Sequence, residues 1–457
     1  MRSLLQTTSL ALGLWGTTVG ATIDVTWTDD SSVKEAAATI AYGLVKYYTG
    51  NNTGDTPGNL PDPYYWWEAG AMFGALIDYW WLTDDESYNN ITQQAMIHQA
   101  GDDEDFMPTN QTRTEGNDDQ GFWAMAAMSA AERNFPDPSS DEPQWLALTQ
   151  AVFNEYASRW DTDHCDGGMR WQIFTFNSGY SYKNSISNGC FFNVAARLAR
   201  YTGNDTYSDW AAKIWKWESD AGLITSGYKV YDGVTIGTTN CSSVDTAQWS
   251  YNAGIFLHGA SVMYNLTESS TWKTRMDGML TDITSLFVDN DVIYEHFCEE
   301  NIQCNQDQQS FKGYLGRWLA ATSQMAPYTY DTIYPLLLST AKAAVAVCTG
   351  TDTDFKGHTG TACGFSWLDT TYDGLVGVGS QMNAMSMVIY TLIEQGSAPV
   401  TSSTGGTSTG DASAGNKNSD DVNKNQSKIT TADRAGAAIL TILVCGGVLA
   451  GTAFVFS

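Results

Sequence analysis

Between about residues 30 and 396 the chain alternates two kinds of helical segment and two lengths of link, and few folds accept both alternations at once. Twelve segments with a 3.6-residue apolar period and capping residues at their boundaries fall near 33–49, 68–82, 86–100, 119–133, 144–160, 187–202, 206–219, 247–266, 270–288, 306–324, 329–348 and 379–395. The odd-numbered ones share an opening, polar residues and then an aromatic: "DDESY", "DEPQW", "GNDTY", "ESSTW" and "YDTIY" place Tyr88, Trp145, Tyr207, Trp272 and Tyr334 at comparable points. The even-numbered ones, such as "WWEAGAMFGALIDYWW" and "GFWAMAAMSAAE", mix small and aromatic residues around their whole circumference, which suits helices packed on all sides.

Links from odd to even segments are long (50–67, 101–118, 161–186, 220–246, 289–305, 349–378), and those from even to odd are mostly brief. In an up-and-down array every long link then lies at one end. These patterns predict an all-α fold, an (α/α)6 barrel of six helical hairpins with the long loops and an active cleft at one end. An open solenoid is the competing arrangement, but it has no need of an apolar helix at every second position. Strand signals are confined to short pieces such as "MRWQIFTF".

The two ends read as address segments. Residues 1–21 carry Arg2, an apolar run and small residues before Ala21, the layout of a cleaved secretory signal. Residues 397–434 are rich in Ser, Thr, Gly and Asn and read as a linker, followed by the apolar segment 435–457. A small-residue site, polar spacer and apolar tail fit a GPI-attachment signal, with attachment between Ser413 and Ser427, and a transmembrane anchor is the alternative. The catalytic domain is accordingly expected over 22–396.

The formal charge of −28 argues against nucleic acid or an anionic membrane surface as partner. N-glycosylation triplets stand at Asn51, Asn90, Asn110, Asn204, Asn240, Asn265 and Asn425, and so many on a secreted chain imply use. Of eight cysteines, Cys445 belongs to the tail. Cys298 with Cys304 and Cys348 with Cys363 are the expected disulfides, while Cys165, Cys190 and Cys241 remain unassigned among themselves. Neither a CxxC pattern nor a histidine cluster suggests a metal, and no cofactor is called for.

The stretch "TEGNDDQGFWAMAAMSAAE" sets Asp118 and Asp119 side by side at the mouth of an apolar segment. Capping of the helix start is the plain explanation. Adjacent Cα atoms are about 3.8 Å apart, however, so two short acids diverging from them can hold carboxyl groups near the roughly 5–5.5 Å of retaining glycosidases. Burial of one and hydrogen bonding of the other would separate their acidities. Other segments at the same end offer sugar-binding chemistry: Trp66 and Trp67, Asn117 beside the acids, Tyr182, Lys183 and Asn184, Asp245, Trp249, Tyr251 and Asn252, Lys312, and Trp367. Aromatic faces stack on sugar C–H surfaces, and Asn, Asp and Lys fix hydroxyls.

The stretches "YYWWEAGAMFGALIDYW", "DFMPTNQTRTEGNDDQGFWAMAAMSAAE", "YKNSISNGCFF" and "QWSYNAGIFLHGA" resemble the glycoside hydrolase family 76 α-mannanases, in particular their fungal cell-wall branch of Dfg5 and Dcw1 type. The similarity spans roughly 24–396, and the segments at both ends match that branch. The resemblance implies an (α/α)6 barrel and a retaining mechanism on α-mannosidic bonds, with Asp118 as nucleophile and Asp119 as acid/base. It further implies a transglycosylase that cuts the glycan of GPI-anchored proteins and joins them to wall β-glucan, outside the cell and held by a GPI lipid. A hydrolytic endo-α-1,6-mannanase and an idle glycan-binding wall protein are the alternatives, and the intact acid pair speaks against the second.

Overall fold

The computed structural model describes residues 23–111, 113–237, 241–415 and Thr441. The secretory signal, Asn240, Asn425, the linker beyond Gly415 and the apolar tail apart from Thr441 therefore lie outside the described residues. All twelve helices are present: α1 (Asp30–Val45), α2 (Trp66–Thr83), α3 (Asn89–Gln99), α4 (Asn117–Arg133), α5 (Trp145–Ser158), α6 (Ser185–Thr202), α7 (Asp205–Asp220), α8 (Ser250–Thr267), α9 (Ser270–Leu286), α10 (Gln308–Met325), α11 (Tyr330–Ala346) and α12 (Val378–Tyr390).

The even-numbered helices form a closed ring, each packing on the next and α12 returning to α2. Closure excludes an open solenoid and explains the composition of these helices, since each faces two inner neighbours, an outer helix and the axis. Small residues let them approach: a Cβ on Gly316 of α10 would stand 1.8 Å from Met387 Cε of α12. The odd-numbered helices lie outside, with α1 against α12, α5 against α4 and α7 against α6. The fold is an (α/α)6 barrel.

Strands are few. β1 (Tyr182–Asn184), β2 (Gly233–Thr235) and β3 (Val244–Asp245) make one antiparallel sheet, and β4 (Val288–Asp289) with β5 (Val292–Ile293) a hairpin. The stretch "MRWQIFTF" is not a strand; it makes a single bridge, Gln172 to Gly116, and donates Trp171 N–H to Tyr182 O at 2.7 Å. Of its aromatics, Trp171 lines the cleft at the long-loop end, whereas Phe174 and Phe176 stack on each other with centroids 5.4 Å apart.

Disulfides join Cys298 to Cys304, Cys348 to Cys363 and Cys165 to Cys241, leaving Cys190 free and buried. Cys165–Cys241 ties the loop before α6 to the loop before α8. Asn51, Asn90, Asn110 and Asn204 are exposed, as is Asn265, whose amide donates to Met325 O.

The domain does not end at 396. Residues 397–415 run as a strap across the short-loop end and up the outside of α5: Val400 N–H donates to Glu132 O, Ser402 N–H to Tyr201 O, and Asn134 Nδ2 to Gly405 O. Ser408 is buried and accepts from Leu146 N–H at 3.0 Å, and Asn154 donates to the carbonyls of Ala412 and Ala414. A polar, glycine-rich segment binds here through its backbone and hydroxyls, so it carries no apolar pattern. Ser408 supplies the cap that Gln144, at the start of α5, does not. A chain ending at Gly396 should melt several degrees below one ending at Gly415, and Ser408→Ala should cost about 1 kcal/mol. Equal melting of the two truncations would return the strap to the status of a linker.

Candidate active site

Inner helices begin at the long-loop end, and their first turns surround a cleft of about 540 Å³. Its walls come from the start of α2 (Tyr65, Trp66, Trp67), the segment entering α4 (Gln111, Thr114, Glu115, Asp118, Asp119, Phe122), the loop before α6 (Trp171, Gln172, Tyr182, Asn184), Asp232, Tyr251 of α8, and Asp307 with Phe311 at α10. At the opposite end the enclosed cavity among Asp78, Arg133, Arg197, His258 and Arg317 has room for about 30 Å³, enough for a water molecule but not a sugar.

The turn that presents the acids is pinned from three sides. Asn117 N–H donates to Trp171 O at 2.8 Å, its amide donates to Arg170 O at 2.8 Å, and its carbonyl oxygen accepts from Tyr156. Gly116 is required by close approach, since a Cβ there would lie 2.4 Å from Asp118 Oδ1 and 3.2 Å from the Trp171 ring nitrogen. Gly116 N–H donates to Asp119 Oδ2 at 2.6 Å, so Asp119 does cap the helix, whereas Asp118 Oδ1 is buried without a partner.

Five carboxyl groups line the cleft, Glu115, Asp118, Asp119, Asp232 and Asp307, and among the described residues no Lys, Arg or His does. Burial pushes Asp119 up to about 7, the Gly116 N–H opposing it. Burial and then the neighbouring Asp119 carry Asp118 well above the ordinary carboxylate range. Two such groups cannot both ionise cheaply, so the pair keeps at least one proton near neutrality. Burial also raises Asp307, and Asp232, which accepts from Tyr182 Oη at 2.7 Å and Asn252 Nδ2 at 3.4 Å.

Of the residues singled out in the sequence, Trp66, Trp67, Tyr182, Asn184 and Tyr251 line the cleft with the two acids. Trp66 is held by its ring N–H to Gln99 Oε1 at 2.7 Å, and Tyr251 stacks on Phe311 with centroids 3.8 Å apart. Others stand behind the wall. Lys183 is fully buried and donates to the carbonyls of Asp161, His164 and Gly167. Lys312 is fully buried against Glu299 Oε1 at 2.7 Å, beneath Trp367. Neither ammonium reaches the cleft, because each finds a denser set of oxygens inside the loops it secures. Asn117 fixes the turn, Asn252 supports Asp232, Trp249 packs on Phe297 and Phe311, and Asp245 is exposed on β3. Glu115, Asp232, Asp307, Tyr65 and Trp171 were not anticipated. Glu115 stands in the same short stretch as the pair, three residues before Asp118, and was open to the same reasoning.

The profile of glycosyl hydrolase family 76 matches residues 32–403. The mannan endo-1,6-alpha-mannosidase DCW1 of Saccharomyces cerevisiae is 49% identical over 415 residues, covering 90% of each chain. The crystal structure of Dfg5 from Chaetomium thermophilum in complex with glucosamine superposes with a TM-score of 0.81 at 45% identity, over 85% of this chain and 96% of that one. The GH76A alpha-1,6-mannanase from Salegentibacter sp. HEL1_6 shares the fold, with a TM-score of 0.62 at 19% identity over 79% and 98% of the two chains. A closed ring of apolar helices, a paired-acid turn at its loop-bearing end and these likenesses agree: the chain is a glycoside hydrolase and belongs to glycosyl hydrolase family 76.

Proposed function

We propose that this chain cleaves an α-mannosidic bond in the glycan of GPI-anchored proteins and transfers the released glycan to wall β-glucan, with retention at the anomeric carbon. Asp118 attacks that carbon while Asp119 gives its proton to the departing oxygen; Asp119 then takes the proton of the acceptor hydroxyl, whose oxygen displaces Asp118. Every proton and bond is returned, and the acceptor alone decides between transfer and hydrolysis. This assignment of roles follows the family resemblance. The hydrogen bond from Gly116 to Asp119 favours the opposite charge distribution in the unliganded pair, so a sugar hydroxyl donating to Asp118 is needed to turn it.

The observation that carries the donor class is the five-carboxyl, cation-free, aromatic-walled cleft. Such a site suits a neutral sugar adjoining an ammonium group, the combination of mannose and unacetylated glucosamine in a GPI glycan, and the Chaetomium relative was solved with glucosamine. A hydrolytic endo-1,6-mannanase is the second reading, favoured by the name of the yeast relative. Incubating the protein with a GPI-glycan donor, with and without β-1,3-glucan oligosaccharides, separates them: a product joining both sugars supports transfer, and free reducing ends whatever the acceptor support hydrolysis. The Ser/Thr/Gly-rich segment and apolar tail support a GPI-held location at the cell surface, and release of the full chain from membranes by a phosphatidylinositol-specific lipase checks it.

A further inference from the structure

The small cavity at the short-loop end of the barrel has the reverse electrostatics of the cleft. Among the described residues its wall carries three guanidinium groups, Arg133, Arg197 and Arg317, against two carboxylates, Asp78 and Glu132. Both carboxylates are already paired: Arg317 Nε stands 2.7 Å from Asp78 Oδ2, and Arg197 Nη2 stands 2.7 Å from Glu132 Oε2. Arg133 is left with neutral oxygens, Gln324 Oε1 at 3.2 Å and Ser397 O at 3.5 Å, and with the face of Trp81. One positive charge is therefore in excess. Arg133 stands in the last turn of α4, so the carbonyl dipoles there offset part of that charge.

A second group in the same wall also lacks an acceptor. His258 of α8 is 7% exposed and lines the cavity. Its Nδ1 accepts from Asn193 Nδ2 at 3.0 Å, the Asn193 oxygen being turned to Arg197. Burial, then the charges of Arg197, Arg317, Arg133 and Arg200, hold the imidazole well below its ordinary range and so keep it neutral. The ring hydrogen is thereby assigned to Nε2, which has no hydrogen-bond partner among the described residues. Helix dipoles do nothing for this buried N–H, and an unmet donor is costly.

We propose that this cavity is a binding site for a monatomic halide, chloride in ordinary solution, held in the field of the three guanidinium groups and by the Nε2–H of His258. The ion would answer both deficits at once, the excess charge and the unmet donor. Water would satisfy His258 but leave the charge, and room for about 30 Å³ limits the occupant to a body near the size of a water molecule. Pro399 of the strap completes the wall, so the bound ion would also fasten the strap to the ring. Nothing in this proposal depends on the α-mannosidic reading, since the site lies at the opposite end from the paired acids.

Crystals of the protein grown in sodium bromide should show an anomalous bromide peak in the cavity, within hydrogen-bond reach of His258 Nε2. In solution at constant ionic strength, replacing about 0.1 M sodium gluconate by sodium chloride should raise Tm by about 2 °C. Arg133→Met, which removes the excess charge and keeps the stem, should abolish that chloride-dependent rise. His258→Leu, which removes the donor, should do the same and takes the place of Arg133→Met if that variant does not fold. Water in place of bromide, or bromide at surface positions alone, would overturn the proposal. So would a bromide peak without a chloride-dependent rise in Tm, the sign of an adventitious ion only, or an equal rise in the wild-type and variant proteins.

Discussion

Asp118→Asn leaves no measurable turnover on any α-mannoside, whatever its leaving group, a loss on the order of 10⁴-fold or more. On the roles proposed above, the substitution removes the nucleophile while keeping the shape of the turn, where Gly116 makes room for Asp118 Oδ1. Asp119→Asn behaves differently. With a natural substrate it is nearly inactive, because nothing protonates the departing oxygen. With an activated aryl mannoside the first step proceeds, and added azide restores turnover by attacking the intermediate without base assistance, giving the α-mannosyl azide. Kinetics with and without azide, and identification of the azide product, check both expectations. Rescue at Asp118 with none at Asp119 keeps the chemistry and reverses the roles, the outcome that the Gly116 hydrogen bond would favour. Near-normal activity in both variants would reduce the pair to helix capping, since Asn caps about as well as Asp.

Lys312→Met lowers unfolding free energy by roughly 3–5 kcal/mol, the cost of leaving one member of a buried ion pair alone. Its ammonium is fully buried between Glu299 and the carbonyl of Phe365, and lies 3.8 Å from the centroid of Trp367. Glu299 also accepts from the N–H groups of Glu295 and Trp367, so it gathers the loop before α10 and the loop before α12 at one point. Lys312→Met with Glu299→Gln should recover part of the loss, because the second change removes the stranded charge. Urea unfolding of the three proteins checks this. If instead Lys312→Met leaves stability unchanged and raises KM, Lys312 reaches the substrate.

That lysine shows where sequence reasoning stops. A lysine at the start of an inner helix lies at the correct end of the barrel, but the direction of its flexible side chain depends on a carboxylate and a carbonyl contributed by two other loops, at Glu299 and Phe365. Lys183 fails in the same way. Helix order was legible because an inner helix must be apolar all round, a property written locally, and the acid pair was legible because both its members lie in one turn. Asp232 and Asp307 enter the cleft from separate loops that no periodicity governs. Trp171 was hidden inside a stretch read as a strand; its ring serves the cleft wall and its carbonyl oxygen holds the turn at Asn117. The strap was invisible because its contacts are made by backbone and hydroxyl groups, which leave no hydrophobic signature.

The strap also determines how the enzyme responds to being pulled. A load applied beyond Gly415 arrives first at the bonds from Asn154 to Ala414 and Ala412, next at Ser408 against Leu146, and then at Asn134 and Tyr201. These contacts lie in series along one ribbon and open one after another rather than together, so tension spends itself in peeling before it reaches the closed ring. Slack of some nineteen residues is thereby stored on the outer wall, and the paired acids keep their geometry while the molecule is tugged at its edge.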